Sequence, residues 1–516
     1  MKHLITLFCL PFFFFGISAQ PTIQWQKTLG GNSYDQPLSI QQTTDGGYIT
    51  TGRTASTSGD VTGNHGGYDF WVIKISSLGE MQWSKTFGGS NHDSPYALQL
   101  TRDGGYVVAG LSASSNGNVT GNHGLTDCWI IKLNAAGTIE WQKSFGGSGY
   151  DEAWAIQQTD DDGYIFAGRS NSINGDVTGN HGFNDCWVVK LAEDGSLLWQ
   201  KSFGGSGEDT AYSIRQTSDG GFILLGESNS LDGDVTGNHG DADYWVVKLT
   251  INGDIEWQQS FGGIAADIPS DVHQTSDGGY IISGYAGSNN SGDVTGHHGS
   301  FDFWVLKLDT NGALEWEKAL GGSSTDWGRA ISPLSDGSYM VLGTTSSIDG
   351  DVIDHYEDPD FWLVKLSHTG DIIWQKILGG SKADHGFAMD QTSDGSFVLA
   401  GYAWSEDGDL AGSTIHGYND FWVVKLAPES VPVKDLLTSE PLEIYPNPAQ
   451  EFITLKSPLL ETSLEVIISD VSGREILRQT TSNGEQINVS TLVPGMYQAT
   501  VSSSSGIRGA GWFQKL

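Results

Sequence analysis

The stretch of sequence that decides the fold is IEWQKSFGG, residues 139–147, because close copies of it recur along the chain. Its tryptophan returns every 58 residues, with a single step of 59. The members of this first series are Trp25, Trp83, Trp141, Trp199, Trp257, Trp316 and Trp374. A fixed period of this size indicates a solenoid, a propeller or another array of repeated units.

Two further series share the period, and together they define the repeat. The second tryptophan series is Trp71, Trp129, Trp187, Trp245, Trp304, Trp362 and Trp422. The third is the aromatic residue of an Asp-Gly turn: Tyr48, Tyr106, Tyr164, Phe222, Tyr280, Tyr339 and Phe397. Each period holds four runs rich in Val, Ile and aromatics, which in the third repeat are 154–158, 163–169, 186–191 and 197–203. Four short strands per repeat of this length are typical of a propeller blade.

The two ends of the repeated region favour a closed ring. The first run, 22–28, has no partner strands before it, and the last repeat stops at Leu426 without a strand of that type. An open solenoid would need atypical capping repeats. We therefore expect an all-β protein with a seven-bladed β-propeller over 20–426, in which the N-terminal strand completes the last four-stranded blade. We expect both tryptophan series to form the core between blades.

Composition limits the partners. The chain has 26 Lys and Arg against 62 Asp and Glu, a net charge of −36, so nucleic acid and anionic lipid are not expected ligands. Its 18 Trp, 17 Tyr and 21 Phe can supply a large core. Cys128 and Cys186 occupy one position of neighbouring repeats, where five other repeats have an aromatic residue, and we expect two buried free thiols.

The N-terminal residues have the pattern of a secretory signal peptide. Lys2 and His3 precede an apolar run, 4–17, and small residues lead to a predicted cleavage between Ala19 and Gln20. A retained N-terminal anchor is the alternative. No later run reaches the length of a membrane-spanning helix, so no transmembrane segment is expected.

The repeat also carries a family resemblance. The pairing of Leu29-Gly30-Gly31 and Asp35 with Asp45-Gly46-Gly47-Tyr48 and Gly52 resembles the β-propeller repeats of secreted bacterial proteins. The resemblance covers about 22–426. It implies the fold but no reaction, because propellers of this kind are functionally diverse.

After the repeats, 427–441 is predicted to be a linker and 442–516 a small β-sandwich. The motifs are LEIYPNPA at 442–449, ISDVSGR at 468–474, INVS at 487–490, LVPGMY at 492–497 and a final FQKL. Their order resembles the type A sorting domain of the type IX secretion system. The resemblance implies the secretion machinery as a partner of 442–516, export across the outer membrane, removal of the domain, and release or attachment at the cell surface. An ordinary adhesive β-sandwich is the alternative.

Seven aspartates follow the Gly-Gly turn and are expected to ring one mouth of the central channel. They are Asp35, Asp93, Asp151, Asp209, Asp267, Asp326 and Asp384. Such a ring suits a cation or a polar ligand. Because it repeats in every blade, the favoured interpretation is structural, with carboxylates that accept backbone N–H groups at each blade junction.

The long loop of each repeat has a calcium-like spacing of oxygen side chains. The best example is Asp232, Asp234, Thr236 and Asp243, at relative positions 1, 3, 5 and 12 with glycine at 6. Ile353 and Ala411 break the frame in the last two repeats, and Asx-turns need the same residue types. No cofactor is required by the sequence, and calcium is the one candidate.

The same loops carry His65, His123, His181, His239, His298 and His416. Their spacing on separate blades favours loop hydrogen bonds over a shared metal. A lysine recurs three residues after the second tryptophan, and these lysines are expected to be partners for some of the aspartates. These lysines are Lys74, Lys132, Lys190, Lys248, Lys307, Lys365 and Lys425.

Unique aromatics on a repeated frame are the best candidates for a ligand face. They are Tyr150, Trp154, Trp327 and Trp404, which we expect in or beside the long loops, where loop packing is the alternative. Gly-Gly turns and long loops are expected at one face of the ring.

The leading hypothesis for function is an exported, monomeric, non-enzymatic propeller that binds an extracellular glycan or protein. No catalytic residue is assigned, because the carboxylates repeat uniformly and no nucleophile or metalloprotease motif is present. A polysaccharide hydrolase or lyase and a structural surface-layer protein are the alternatives.

Overall fold

The structure, a computed structural model, describes residues 20–355, 358–429, 440–456, 464–470, 475–482, 484–503 and 506–516. The chain divides into a repeated unit, Gln20–Pro428, and a second unit that contains Glu429–Leu516. The predicted signal peptide and most of the predicted linker lie outside the described residues. Within the described part, no helix is long and apolar enough to cross a membrane.

The repeated unit consists of seven antiparallel four-stranded sheets, one per blade, which confirms the predicted propeller. The innermost strands are Asp35–Gln42, Asp93–Leu100, Asp151–Gln158, Asp209–Gln216, Asp267–Gln274, Asp326–Pro333 and Asp384–Gln391. The second strands are Tyr48–Thr54, Tyr106–Ser112, Tyr164–Ser170, Phe222–Ser228, Tyr280–Ala286, Tyr339–Thr345 and Phe397–Ala403. The third strands are Asp69–Ile75, Asp127–Leu133, Asp185–Leu191, Asp243–Leu249, Asp302–Leu308, Asp360–Leu366 and Asp420–Leu426. The outer strands of blades 1 to 6 are Met81–Phe87, Ile139–Phe145, Leu197–Phe203, Ile255–Phe261, Leu314–Leu320 and Ile372–Leu378.

The seventh blade takes its outer strand from the other end of the repeated unit. Ile23–Leu29 pairs antiparallel with Asp420–Leu426, so that Thr28 lies opposite Trp422. The predicted closure of the ring by the N-terminal strand is therefore confirmed. A single 3₁₀ turn, Gly408–Leu410, lies in the long loop of the same blade.

The core lies between neighbouring blades. All seven residues of every third strand are buried, as expected for a sheet covered on both faces. The second-series tryptophans are at most 1% exposed, and Trp71 meets Phe421 of the preceding blade edge to face. Cys128 and Cys186 take the place of that phenylalanine in their blades and are free thiols.

The first-series tryptophans differ from the prediction that both series form the core. Trp374 is buried, but the other six are half-buried. The reason is that an outer strand packs against a neighbouring blade on one of its faces only. Trp25 packs edge-on against Tyr48 of the next blade and donates its indole N–H to the carbonyl of Ser77. These residues seal the outer edge of each blade junction.

Each innermost strand contains a β-bulge after its third residue, where the register with the second strand shifts. The extra residue has no partner across the ladder and lines the central channel instead. We name these seven residues the floor ring: Leu38, Tyr96, Trp154, Tyr212, Ser270, Arg329 and Phe387. The bulge thus gives every blade one side chain that takes no part in the contacts repeated in all blades. We call those repeated contacts, and the residues that make them, the frame.

The second unit is the expected β-sandwich. One sheet has the order Glu440–Pro441, Gly506–Lys515, Gly495–Ser503, Leu464–Asp470 and Glu475–Thr481. The other has the order Glu443–Tyr445, Phe452–Lys456 and Gln486–Asn488. Ile453, Val466, Ile487, Val501 and Phe513 are fully buried in the core of this unit. The last four residues of the ISDVSGR motif, 471–474, lie outside the described residues.

Candidate functional site at the upper mouth of the channel

The Gly-Gly turns and the long loops lie together at one end of the ring, which we name the upper end. In the first blade, the Gly30 N–H donates to the Asp60 carboxylate over 3.2 Å, and the Asp60 N–H donates to the Gly30 carbonyl over 2.9 Å. The innermost strands begin at this end. Their hairpins to the second strands therefore lie at the opposite, lower end.

The seven aspartates after the Gly-Gly turn are fully buried at the upper end. In the third blade, Asp151 accepts hydrogen bonds from the Gly147 N–H and the Ser172 hydroxyl, both over 2.8 Å, and from the Ser170 hydroxyl. Burial raises the pKa of Asp151, although these hydrogen bonds oppose the rise. The carboxylate thus ties the turn to the end of the second strand of its own blade, and the same contact to the turn recurs in all seven.

The loop histidines hold a second series of buried aspartates, at the start of the third strands. Both the backbone N–H and the Nδ1 atom of His239 contact one carboxylate oxygen of Asp243, at 2.7 and 2.9 Å. Burial raises the pKa of Asp243 to about 6. The sixth blade departs from this pattern, because His355 contacts Asp360 from a different loop position, which the spacing did not reveal. These histidines contribute to the frame, one per blade.

The predicted lysine–aspartate pairs lie at the lower end. Lys190 is buried and contacts Asp161 of the Asp-Gly turn at 2.9 Å, while its ammonium also donates to the carbonyl of Leu191. The equivalent pair recurs in every blade. The partner of each lysine is the turn aspartate rather than the aspartate that follows the Gly-Gly turn.

The four oxygen side chains of the calcium-like loop have separate partners. Asp232 accepts the Ser206 N–H, Asp234 accepts the Gly204 N–H, and Thr236 contacts the Gln258 amide. Asp243 is buried at the blade junction beside His239. Among the described residues, no group of three or more His, Cys, Asp or Glu side chains is arranged to hold a metal ion. Calcium binding by this loop stays a prediction.

Trp154 and Trp327 do not lie beside the long loops as expected, because both are part of innermost strands. Trp154 belongs to the floor ring. Trp327 is the second residue of its strand, opposite Thr344 of the second strand. Only Trp404 lies at the start of a long loop, and Tyr150 lies in a Gly-Gly turn; they are 39% and 47% exposed. Period counting placed the two strand tryptophans wrongly because it does not show which strand residues face the channel.

The position of Trp327 and its partner on the second strand differ in chemistry from blade to blade. We name these residues the mouth pairs: Gln36–Arg53, Ser94–Leu111, Glu152–Arg169, Thr210–Glu227, Ile268–Tyr285, Trp327–Thr344 and His385–Tyr402. No two pairs are identical. By contrast, the residue directly before the mouth pair on the innermost strand is aspartate in every blade.

The mouth pairs of blades 1 to 4 form a polar side. Arg53 donates to Gln36, and Arg169 forms an ion pair of 2.9 Å with Glu152. Burial raises the pKa of Glu227 to about 7, while the hydroxyl of Tyr212 in the floor ring opposes the rise. This side therefore offers donors and acceptors whose orientation is already fixed.

The mouth pairs of blades 5 to 7 form an aromatic side. Trp327 stacks on His385 at 6.2 Å between ring centroids and lies 6.3 Å from Tyr285. His385 in turn packs against Tyr402 at 4.9 Å. Burial, with a further contribution from the nearby Arg329 charge, lowers the pKa of His385 to about 4, so its imidazole is neutral at pH 7. The result is an arc of rings from three successive blades.

The floor ring narrows the channel beneath both sides. Trp154 stacks on Tyr96 at 4.6 Å and meets Tyr212 edge to face at 5.0 Å. Its indole N–H donates to Glu152 over 3.1 Å, which joins the floor to the polar side. The floor ring and residues further down the innermost strands, including Gln99 and Asp271, line a cavity of about 260 Å³. This cavity therefore lies at and below the floor ring, and the mouth pairs lie between it and the upper end.

Further aromatics lie at the upper end outside the channel. Tyr34 and Tyr418 stack at 4.5 Å between centroids, and both line a groove with Trp404 and Lys382. Sequence analysis did not single out Tyr34, Tyr418, Tyr285 or Tyr402. Comparison of equivalent strand positions across the seven repeats would have found the last two, because each departs from its neighbours there.

The strand order and the central channel define the class of protein: a seven-bladed β-propeller. Its tail, residues 443–508, matches the model of the secretion system C-terminal sorting domain. The chain is therefore a β-propeller protein that carries a type IX sorting domain, and the sorting domain indicates export.

The chain resembles known proteins over part of its length. It is 25% identical over 180 residues to the regulatory protein FlaEY of Caulobacter vibrioides; this match covers 31% of the chain and 18% of that protein. Among solved structures, the Neurospora crassa Pan2 WD40 domain matches 77% of the chain and 95% of its own at 10% identity, with a TM-score of 0.40. Puromycin hydrolase matches 85% of the chain and 61% of its own at 11% identity, with a TM-score of 0.45.

Proposed function

We propose that this exported propeller is a non-enzymatic binding protein whose ligand, an extracellular glycan or protein segment, enters the upper mouth of the channel. The observation that carries the proposal is the contrast between the mouth pairs and their frame. Asp326, next to Trp327 in the chain, has an equivalent in every blade, whereas Trp327 has none. The ring therefore needs the aspartate, which every blade has, and can form without the tryptophan, which one blade has at this position.

The chemistry of the mouth suits recognition. Aromatic rings such as Trp327 and Tyr402 provide rigid apolar area, and both stand on β-strands rather than on loops. The polar side provides the few oriented groups that fix a ligand in a concave site. A sugar ring, which is apolar on its faces and polar at its edges, fits this division best.

A glycan and matrix-protein array probed with the full chain tests the proposal, with and without calcium. We expect binding to one ligand class, and we expect Trp327→Ala to weaken it at least tenfold. The matched control is Trp512→Ala in the second unit, where the tryptophan is 49% exposed and outside the propeller. Equal binding by Trp327→Ala and the unmodified chain would place the ligand elsewhere.

One observation favours a second candidate, a glycan hydrolase. Glu152 and Glu227 are mouth carboxylates that do not recur in other blades, and the pKa of Glu227, raised by burial to about 7, is that of a general acid at neutral pH. Glu227→Gln separates the two functions. It abolishes turnover if the protein is a hydrolase, whereas a binding protein releases no reducing ends with or without the substitution.

A further inference from the structure

Arg329 is the floor-ring residue of the sixth blade, and its guanidinium lies among aromatic rings. The guanidinium carbon is 5.8 Å from the centroids of both Tyr285 and Trp327 and 5.5 Å from that of Phe387. Tyr285 and Trp327 belong to the mouth, and Phe387 belongs to the floor. The charge is therefore held where the aromatic side of the mouth meets its floor.

Among the described residues, no carboxylate and no other hydrogen-bond acceptor contacts the Arg329 guanidinium. The other four arginines of the propeller all have oxygen partners. Arg53 binds Gln36, and Arg169 binds Glu152. Arg215 binds Asp271 at 3.1 Å, and Arg102, at the lower end, binds Asp160. Among the five propeller arginines, Arg329 is thus the exception in having no oxygen partner, although the chain carries a net charge of −36.

The surroundings of the Arg329 guanidinium suit the binding of an anion. Its central carbon lies within cation–π distance of three rings, and no acceptor among the described residues takes its N–H donors. The donors form a fork that matches the two oxygens of a carboxylate. His385 beside it is neutral at pH 7, since burial and the Arg329 charge lower its pKa to about 4. A ligand anion would therefore meet one fixed positive charge.

The opposite side of the mouth indicates what carries the anion. Glu152, Arg169 and Glu227 provide donors and acceptors that suit hydroxyl groups, while Trp327 and Tyr402 suit the apolar face of a ring. We propose that the mouth binds an acidic sugar, with its carboxylate on Arg329 and its ring against the aromatic side. This inference rests on the proposed function and names the ligand class of the same site.

The overall charge restricts how many acidic sugars the ligand carries. A net charge of −36 repels a polyanion at distances up to the Debye length, about 8 Å at physiological salt. The Arg329 contact acts at hydrogen-bond distance inside the channel and is screened much less. The expected ligand is thus a largely neutral saccharide with one uronate, at an end or a branch.

Calorimetry with a matched pair of probes tests the inference on the full chain. One probe is a neutral tetrasaccharide of glucose, and the other is the same tetrasaccharide with a terminal glucuronate. We expect the acidic probe to bind at least tenfold more tightly. Arg329→Gln should remove this preference, measured as the ratio of the two affinities within the same variant. Arg102→Gln is the control, because that arginine lies at the lower end and pairs with Asp160 and Asp162.

The outcomes distinguish the inference from the proposed function. Equal affinity for both probes, lost in Trp327→Ala, would overturn the acidic-sugar inference and leave binding at the mouth intact. Preference for the acidic probe that survives Arg329→Gln would also overturn it. Absence of binding to either probe, together with an array ligand that is insensitive to Trp327→Ala, would overturn both. Thermal melts of each variant show whether a loss of binding reflects a loss of folding.

Discussion

The frame and the mouth of this propeller are built on the same strands but follow opposite rules. Asp151 and its six equivalents occupy the first position of the innermost strands and make the same contact to the Gly-Gly turn in every blade. The next position holds Gln, Ser, Glu, Thr, Ile, Trp and His in turn. Repetition marks what the ring needs for closure, and departure from repetition marks the positions that we propose contact a ligand.

The strongest test of the frame removes the strand that closes it. Deletion of 20–29 takes away the outer strand of the seventh blade and exposes the edge of Asp420–Leu426. Because all blades pack in one ring, we expect loss of the cooperative thermal transition rather than a small shift. Calorimetry measures the thermal transition of the propeller. Deletion of 440–516, which lies in the other unit, should leave the propeller transition in place; an unchanged melt after deletion of 20–29 would contradict closure.

The next test sets one frame residue against one mouth residue. Asp151→Ala leaves the Gly147 N–H and two serine hydroxyls without their acceptor, and we expect it to cost about 3 kcal/mol of unfolding free energy. Ligand affinity should change little where the protein remains folded. Trp327→Ala should instead weaken ligand binding and change the free energy of unfolding little. Denaturant melts and array binding of both variants check this, and equal effects on stability and binding in the two variants would break the comparison.

A smaller effect is expected from Glu227, whose mouth position costs stability. Burial raises its pKa to about 7, so the folded state holds a proton that the unfolded state releases near pH 4. The penalty is absent below pH 4 and grows as the pH rises to 7. Glu227→Gln should therefore be more stable than the unmodified chain by about 2 to 3 kcal/mol at pH 8 and equal to it at pH 4. Urea melts at both pH values measure the difference. The same substitution at Glu80, an exposed surface residue, serves as the control.

The smallest effect is expected at the lower end, where Asp219 pairs with Lys248. Although partial burial alone would raise the pKa of Asp219, hydrogen bonds from Thr217, Lys248 and Gly221 lower it to about 2. Its contribution to stability is present above pH 4 and disappears as the pH falls through 2. Asp219→Asn should cost about 1 kcal/mol at pH 7. Urea melts at pH 7 and at pH 2 should show this cost shrinking; an equal cost at both would assign it to the lost turn geometry.

Sequence periodicity predicted the frame closely because every frame contact repeats. The three aromatic series, the Asp-Gly turns and the unpaired first strand were enough for the number of blades, the four strands per blade and the ring closure. The mouth was harder to predict. Trp154 and Trp327 were recognised as unique, yet the bulge in the innermost strands decides which residues line the channel, and a bulge has no signal in the spacing of tryptophans. Arg329 is visible in the sequence, but only the three-dimensional structure shows that none of the described residues is an acidic partner for it.

The pairing of Ile23–Leu29 with Asp420–Leu426 also bears on how fast the protein folds. Six blades are built from strands that are neighbours in sequence, so their hairpins form from local contacts on short timescales. The seventh joins segments nearly the whole repeated unit apart, and the entropy of bringing such distant segments together must be lost before their contacts are gained. We therefore expect the sheets of the first six blades to form before the N-terminal strand pairs with the seventh blade and closes the ring. We also expect closure to be the slow step, and until it occurs the edge of Asp420–Leu426 would be open to pairing with another chain.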